Sequence, residues 1–264
     1  MSGYKKPPIL RGYTYDPVHA YAARDDGRLL ALRVETNTTC NLKCRYCYAE
    51  SGDTTSKQLP YPLLTKTIDE AQKLGVESIV VIGGGEPTLY ERFRDLIAYI
   101  NDKNMLPVVF TNTILVDEEL AKYLHENNAS VMGKMDSLKP EVEDYLVGRE
   151  GAFESIRGGL QNLMDAGFSN PEDPHNLRLG VSFVTNKMNI GEIDRIWGFC
   201  RENNIFPNME ILTPTGRAKD ELNDLTLTES EIKDYKLQLL DLDRKKYGYD
   251  WLPYTPLTAS GCLQ

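Results

Sequence analysis

Cys40-Asn41-Leu42-Lys43-Cys44-Arg45-Tyr46-Cys47 places three of the chain's five cysteines within eight residues. As thiolates at this spacing, Cys40, Cys44 and Cys47 can hold three corners of an iron–sulfur cube and leave the fourth iron without a protein ligand. A metal centre with an open position is where chemistry happens, much as a catalytic zinc differs from a structural one by its vacant site. A zinc site would need a fourth Cys or His within reach. His19, His125 and His175 all lie far off in sequence, without finger-like spacing. A disulfide framework suits small secreted chains, and 264 residues with no signal-peptide pattern do not read as one. Three buried structural cysteines would need no fixed spacing.

The second constellation is Gly83-Gly84-Gly85-Glu86-Pro87, directly after the apolar run Ser78–Ile82. Glycines let a ligand approach the backbone closely, so amides and carbonyls here can meet a small polar group. Glu86 can order the loop or pair with an ammonium. Pro87 suits the first turn of the next helix. No Lys-Ser/Thr follows, as a phosphate loop would require, and the G-x-G-x-x-G spacing is missing. Taken alone, the segment is equally compatible with a tight turn that binds nothing.

Both constellations must be carried by regular elements. A strand over residues 29–34 delivers the cysteine loop, and a helix over 63–74 ends at Gly75, a natural cap. Strands are expected at 78–82, 106–110, 130–135, 177–184 and 209–212. Helices are expected at 93–100, 118–126, through Leu146, at 153–164 and 193–201, and around 229–246. Six strand–helix units in alternation predict an α/β fold with a parallel sheet wrapped in helices. An open (β/α)6 partial TIM barrel fits this count better than the closed eight-unit form. The cysteine loop and the glycine loop then share the face at the strand C-terminal ends. The inward residues of the strands are expected to line a substrate pocket there.

Together the two motifs resemble the radical S-adenosylmethionine (radical SAM) superfamily, with C-x-x-x-C-x-x-C after the first strand and G-G-E-P after the second. The resemblance is to the SPASM/twitch-type and molybdenum-cofactor-cyclase-like members, and it spans roughly residues 28–250. It implies that Cys40, Cys44 and Cys47 hold a [4Fe-4S] cluster whose open iron chelates S-adenosylmethionine. The reduced cluster would then give a 5′-deoxyadenosyl radical that takes hydrogen from a peptide or small-molecule substrate. It implies that Gly84, Gly85, Glu86 and Pro87 serve the methionine end, with a side chain at Gly85 blocking the ligand's approach. Tyr46 would pack near the adenine. Thr111 and Asn112 stand where relatives have Thr-Asn-Gly. Lys134, in Gly133-Lys134-Met135-Asp136-Ser137-Leu138, replaces the relatives' usual Ser and could pair with the methionine carboxylate. Asn186 with Asn189, and Gly216-Arg217-Ala218, match further segments after the last two strands.

Electrons would come from a flavodoxin- or ferredoxin-type donor. The rival class is a non-catalytic iron–sulfur carrier or redox sensor, which would gain nothing from an open iron or a glycine loop. No acid–base pair stands out as a catalytic proton acceptor.

The rest of the chain bounds the reading. Residues 1–27, rich in Tyr, Pro and charge, are expected to drape over the main body as an N-terminal extension. Cys200 reads as a buried core thiol. Residues 251–264 read as an extended tail. The resemblance implies that Cys262 there stands where relatives begin an auxiliary-cluster domain, whose other ligands do not follow. Hydrophobic residues make up 41% and charged residues 26%, an ordinary globular mix with no membrane-length apolar run. A net charge of -9 argues against a broad nucleic-acid surface. Few cysteines beyond the motif suggest a reducing cytoplasm.

Overall fold

Ser78-Ile79-Val80-Val81-Ile82 is apolar after its first residue, and the structure buries it accordingly, in the interior of a sheet. The computed structural model describes residues 8–52 and 57–248. Along these the chain runs β1 (Ile9–Leu10), α1 (Pro17–Asp25), β2 (Ala31–Glu35), α2 (Tyr61–Lys73), β3 (Ser78–Ile82), α3 (Phe93–Asp102), β4 (Leu106–Thr111) and α4 (Glu118–Glu126). It continues through β5 (Ser130–Lys134), α5 (Pro140–Val147), α6 (Ala152–Asp165), β6 (Asn176–Leu177), β7 (Leu179–Thr185), α7 (Ile193–Glu202), β8 (Phe206–Ile211), α8 (Ala218–Glu221) and α9 (Glu229–Leu242).

Six strands form one all-parallel sheet in the order β2-β3-β4-β5-β7-β8. The strands follow chain order without a switch, so each helix returns the chain to the next strand, giving an open (β/α)6 partial barrel. Ile79 and Val81 share one core cluster with Leu64 and Ile68 of α2 and Leu96 and Ile97 of α3. Each such side chain contributes roughly 1.5–3 kcal/mol on full burial. Cys200 of α7 is fully buried, as expected of a core thiol. Among the described residues no helix is long and apolar enough to cross a membrane.

Residues 8–27 do more than drape. Tyr15 Oη and Ser78 Oγ are 2.8 Å apart, and Ser78 Oγ donates to the Gly12 carbonyl at 2.6 Å. Ser78 opens β3, so this segment sits against the N-terminal ends of the strands, opposite the expected active face. From there Tyr13 packs edge-on against Phe110, ring centres 5.0 Å apart. The segment also contributes β1, which pairs in parallel with β6, and α1, capped by Asp16. Neither was legible, because two-residue strands carry no period and α1 buries only Ala23.

Of the strand boundaries that differ from expectation, those of β2 and β8 share a reason. Pairing of Ala31 with Ser78 sets the start of β2, which leaves Leu29 outside and 49% exposed. β8 begins at Phe206 because it pairs with β7 from Gly180 onward. Pro207 masks that start in sequence, yet an edge strand tolerates a residue lacking its N–H. The expected tail at 251–264, with Cys262, lies outside the described residues.

Candidate active site

β2 feeds the cysteine loop onto the C-terminal ends of the strands. There Cys40, Cys44 and Cys47 all line one cavity of about 280 Å³. Burial pushes the Cys40 thiol up, and pushes Cys44 up to about 12. Such thiols stay protonated until a cation meets them, and a coordinated metal ionises a thiol outright. Among the described residues no three His, Cys, Asp or Glu side chains are grouped as the ligands of a single ion. An iron–sulfur cube takes each thiolate on a different iron, so three cysteines around a cavity fit a cluster where they do not fit a lone zinc.

Three neighbours clamp this loop. At the C-terminus of α5, the Lys43 and Arg45 amides donate to the Val147 and Leu146 carbonyls at 3.1 and 2.9 Å. These are helix-end acceptors that would otherwise lack partners. After β8, Arg217 Nη1 donates to the Cys44 carbonyl at 2.7 Å, Nη2 donates to the Ser51 carbonyl, and the Arg217 amide donates to the Cys47 carbonyl at 3.2 Å. Gly216 allows that approach: with φ of +52°, a Cβ there would stand 2.5 Å from the Cys47 carbonyl oxygen. After β4, Asn112 Nδ2 donates to Asn41 Oδ1 at 2.7 Å.

The glycine loop is the fourth support. Glu86 is buried and takes four donors: Thr88 N and Oγ1, Thr111 Oγ1 and Asn112 N, at 2.7–3.1 Å. Its own amide donates to the Thr39 carbonyl at 2.7 Å. Burial raises the Glu86 carboxyl, with these donors working against the shift. Of its two sequence roles, ordering the loop is therefore the one its oxygens perform.

Gly85 also has a packing role that the sequence did not show. A Cβ there would lie 2.1 Å from the Thr39 carbonyl oxygen. The residue is small so that the glycine loop can pack on the cysteine loop, and a larger one would displace Cys40's neighbour. Gly83, Gly85 and Glu86 line the cavity, as do Thr111 and Asn112. Gly84 faces Glu35 and the Asn37 carbonyl instead, and Pro87 is buried in a short 3₁₀ turn. Neither contributes to the cavity wall.

On the opposite wall, Tyr46 Oη donates to Asp136 Oδ2. Lys134 Nζ reaches the same oxygen at 2.7 Å and sits 4.5 Å from the centre of the Tyr46 ring. Burial works against the Lys134 charge, but Asp136 outweighs it and holds the ammonium above its ordinary pKa. Asp136 Oδ1 accepts from Val184 N at 2.9 Å, and Asn189 Nδ2 donates to the Asp136 carbonyl at 2.9 Å. The Asp136 and Ser137 amides both donate to Glu143 Oε2 at 2.7 Å. Asn186 Oδ1 accepts from Met188 N, a local turn rather than a cavity contact. Lys134 lines the cavity with its charge already engaged.

Two site residues escaped the sequence reading. Asp136 was noted only as part of a segment, and its fully buried carboxylate proves to be the hub of the Tyr46 wall. Glu210 lines the cavity from β8, and burial raises its carboxyl. The signal was available: Asn208 and Glu210 are polar at alternate positions of a strand that belongs to a buried parallel sheet.

The chain is similar to proteins of one known family. The profile of the radical SAM superfamily matches residues 34–194. Fe-coproporphyrin III synthase of Methanosarcina barkeri is 33% identical over 196 residues, covering 72% of this chain and 46% of that protein. Mycofactocin maturase MftC of Mycolicibacterium smegmatis is 28% identical over 236 residues, covering 89% of this chain and 58% of that one. The chain thus spans about half the length of these relatives. Among solved structures, Streptococcus suis SuiB bound to precursor peptide SuiA superposes with a TM-score of 0.68 at 18% identity, over 94% of this chain and 56% of that one.

Proposed function

This chain belongs to the radical SAM superfamily, and from that membership we propose that it cleaves S-adenosylmethionine reductively and abstracts hydrogen from a peptide or small-molecule substrate. The observation that carries the reading is the convergence of Cys40, Cys44 and Cys47 with Gly85 on one cavity at the strand C-terminal ends. A [4Fe-4S] cluster with bound S-adenosylmethionine would supply the 5′-deoxyadenosyl radical, chemistry that no side chain can perform.

The chain's own residues supply placement. Cys40, Cys44 and Cys47 would hold the cluster in a loop fixed from four sides. The Gly83 and Gly85 backbone, with Thr111 and Asn112, would bound the S-adenosylmethionine site on one wall. The Tyr46 ring, anchored by Asp136 and flanked by Lys134, would bound it on the other. A flavodoxin- or ferredoxin-type protein would deliver the electron. Relatives named for a peptide-bound structure and for a porphyrin synthesis support both substrate classes. Such oxygen-sensitive chemistry suits a reducing cytoplasm.

Anaerobic reconstitution tests the cofactor half directly. About four irons and four sulfides per chain are expected. The low-temperature spin signal of the reduced cluster should shift on adding S-adenosylmethionine. A reconstituted cluster whose signal ignores S-adenosylmethionine would count against the reading.

A further inference from the structure

Among the described residues the cavity carboxylate of Glu210 has no ion-pair partner. Glu210 Oε1 accepts from Asn208 Nδ2 at 3.1 Å and from Ser182 Oγ at 3.4 Å. Among the described residues no hydrogen bond reaches Oε2. Beside it Asn208 Oδ1 is buried with no partner. The Lys134 charge favours the Glu210 carboxylate from a distance, but its ammonium is bonded to Asp136 at 2.7 Å, and among the described residues no ion pair links it to Glu210. Tyr13, on the N-terminal side, adds a phenol whose ionisation burial and then Glu210 oppose, and the Arg33 guanidinium lies over its ring at 5.7 Å from the centre. Phe110, Met132, Val184 and Ile211 are among the apolar residues that line the same cavity.

Acceptors therefore outnumber donors in this corner. A carboxylate in low-dielectric surroundings without a paired cation is costly. The deficit can be met by a ligand that brings both N–H donors and positive charge. We propose that Glu210, with Asn208 and Ser182 behind it, forms a substrate subsite for an ammonium group, such as an amino terminus or a lysine-like side chain. An alcohol would satisfy the hydrogen bond and leave the charge. A carboxylate would add repulsion. A primary ammonium has three donors and meets both needs. The inference rests on the cavity being the substrate site proposed above, and it names the chemical class of the group that binds there.

The test uses reconstituted protein with S-adenosylmethionine present and three four-carbon probes: n-butylammonium, n-butanol and n-butyrate. Ligand-observed NMR titration gives their relative affinities. Wild-type protein should prefer n-butylammonium at least tenfold over the other two. Glu210→Gln preserves shape and the Oε1 contacts, and should bring ammonium and alcohol within about threefold. Equal binding of the three probes to wild type would overturn the subsite, and that ranking decides even if the variant does not fold. Persistence of the preference in Glu210→Gln would overturn it too. So would a tenfold loss of S-adenosylmethionine affinity with unchanged probe ranking, which would assign the carboxylate to the cosubstrate. Affinity for S-adenosylmethionine in wild type, read in the same samples, reports separately on the proposed function.

Discussion

Arg217 donates from Nη1 to the carbonyl oxygen of Cys44 at 2.7 Å, across 173 residues of chain. The last strand of the sheet thereby holds the loop delivered by the first. The consequence is that the cysteine geometry depends on residues far outside the motif.

Arg217→Ala should loosen the loop without removing a ligand. Two carbonyls lose charge-assisted donors, a loss of about 1.5–3 kcal/mol for each such bond. Iron retention after reconstitution should fall, with cluster loss to a chelator at least tenfold faster than in wild type. Arg217→Lys should not restore it, because one ammonium cannot replace a fork reaching Cys44 and Ser51 together. Full rescue by lysine would show that charge alone matters.

Gly85→Ala should cost more than its single methyl suggests. The new Cβ falls 2.1 Å from the Thr39 carbonyl oxygen, so backbone must shift. The variant is expected to lose cluster and S-adenosylmethionine binding together, since the displaced backbone adjoins Cys40. A variant that keeps a full cluster and loses only S-adenosylmethionine binding would mean that the glycine serves the ligand directly. Glu86→Gln is the milder companion. It sets an amide donor against donors, at about 1–3 kcal/mol.

Lys134→Met should destabilise the fold itself. It leaves Asp136 buried with only neutral donors, and breaking such a pair costs about 3–5 kcal/mol. Thermal unfolding should show the loss in protein without cofactor, which separates it from any role toward S-adenosylmethionine. Unchanged thermal stability would mean that Lys134 is free for the ligand after all.

Stability should also carry a pH signature from Glu143. Its carboxyl is pushed up to about 8, by burial first and then by Asp136, with Lys134 acting in the opposite sense. Folding thus favours the protonated form. That stability is complete below the ordinary value of 4.5 and is lost as pH rises through about 8. The slope approaches roughly 1.4 kcal/mol per pH unit inside this window. Urea midpoints from pH 5 to 9 should decline in wild type and stay nearly flat in Glu143→Gln. Parallel declines in both would assign the effect to another group.

How much of this could be read from sequence depends on the range of each interaction. The bounds of β3 and α4 match expectation to the residue, because an unbroken apolar run and a capped amphipathic helix are local signals. The cysteine and glycine loops were legible for the same reason. The clamp by Arg217 was not, since nothing local to the residue says which carbonyl it will meet. The packing of Gly85 on the cysteine loop was not legible, because a glycine needed for loop–loop packing looks the same in sequence as one needed for a ligand. Glu210 lay in plain view, and only its alternation with Asn208 in a buried strand marked it.

The central claim is that Cys40, Cys44 and Cys47 support reductive cleavage of S-adenosylmethionine. It is tested most directly by quantifying 5′-deoxyadenosine released by reduced, anaerobically reconstituted protein, with the Cys40→Ala, Cys44→Ala, Cys47→Ala triple variant alongside. The account predicts 5′-deoxyadenosine from the wild-type chain and none above background from the triple variant. Equal release from both, or none from a wild-type chain carrying a full cluster, would contradict it.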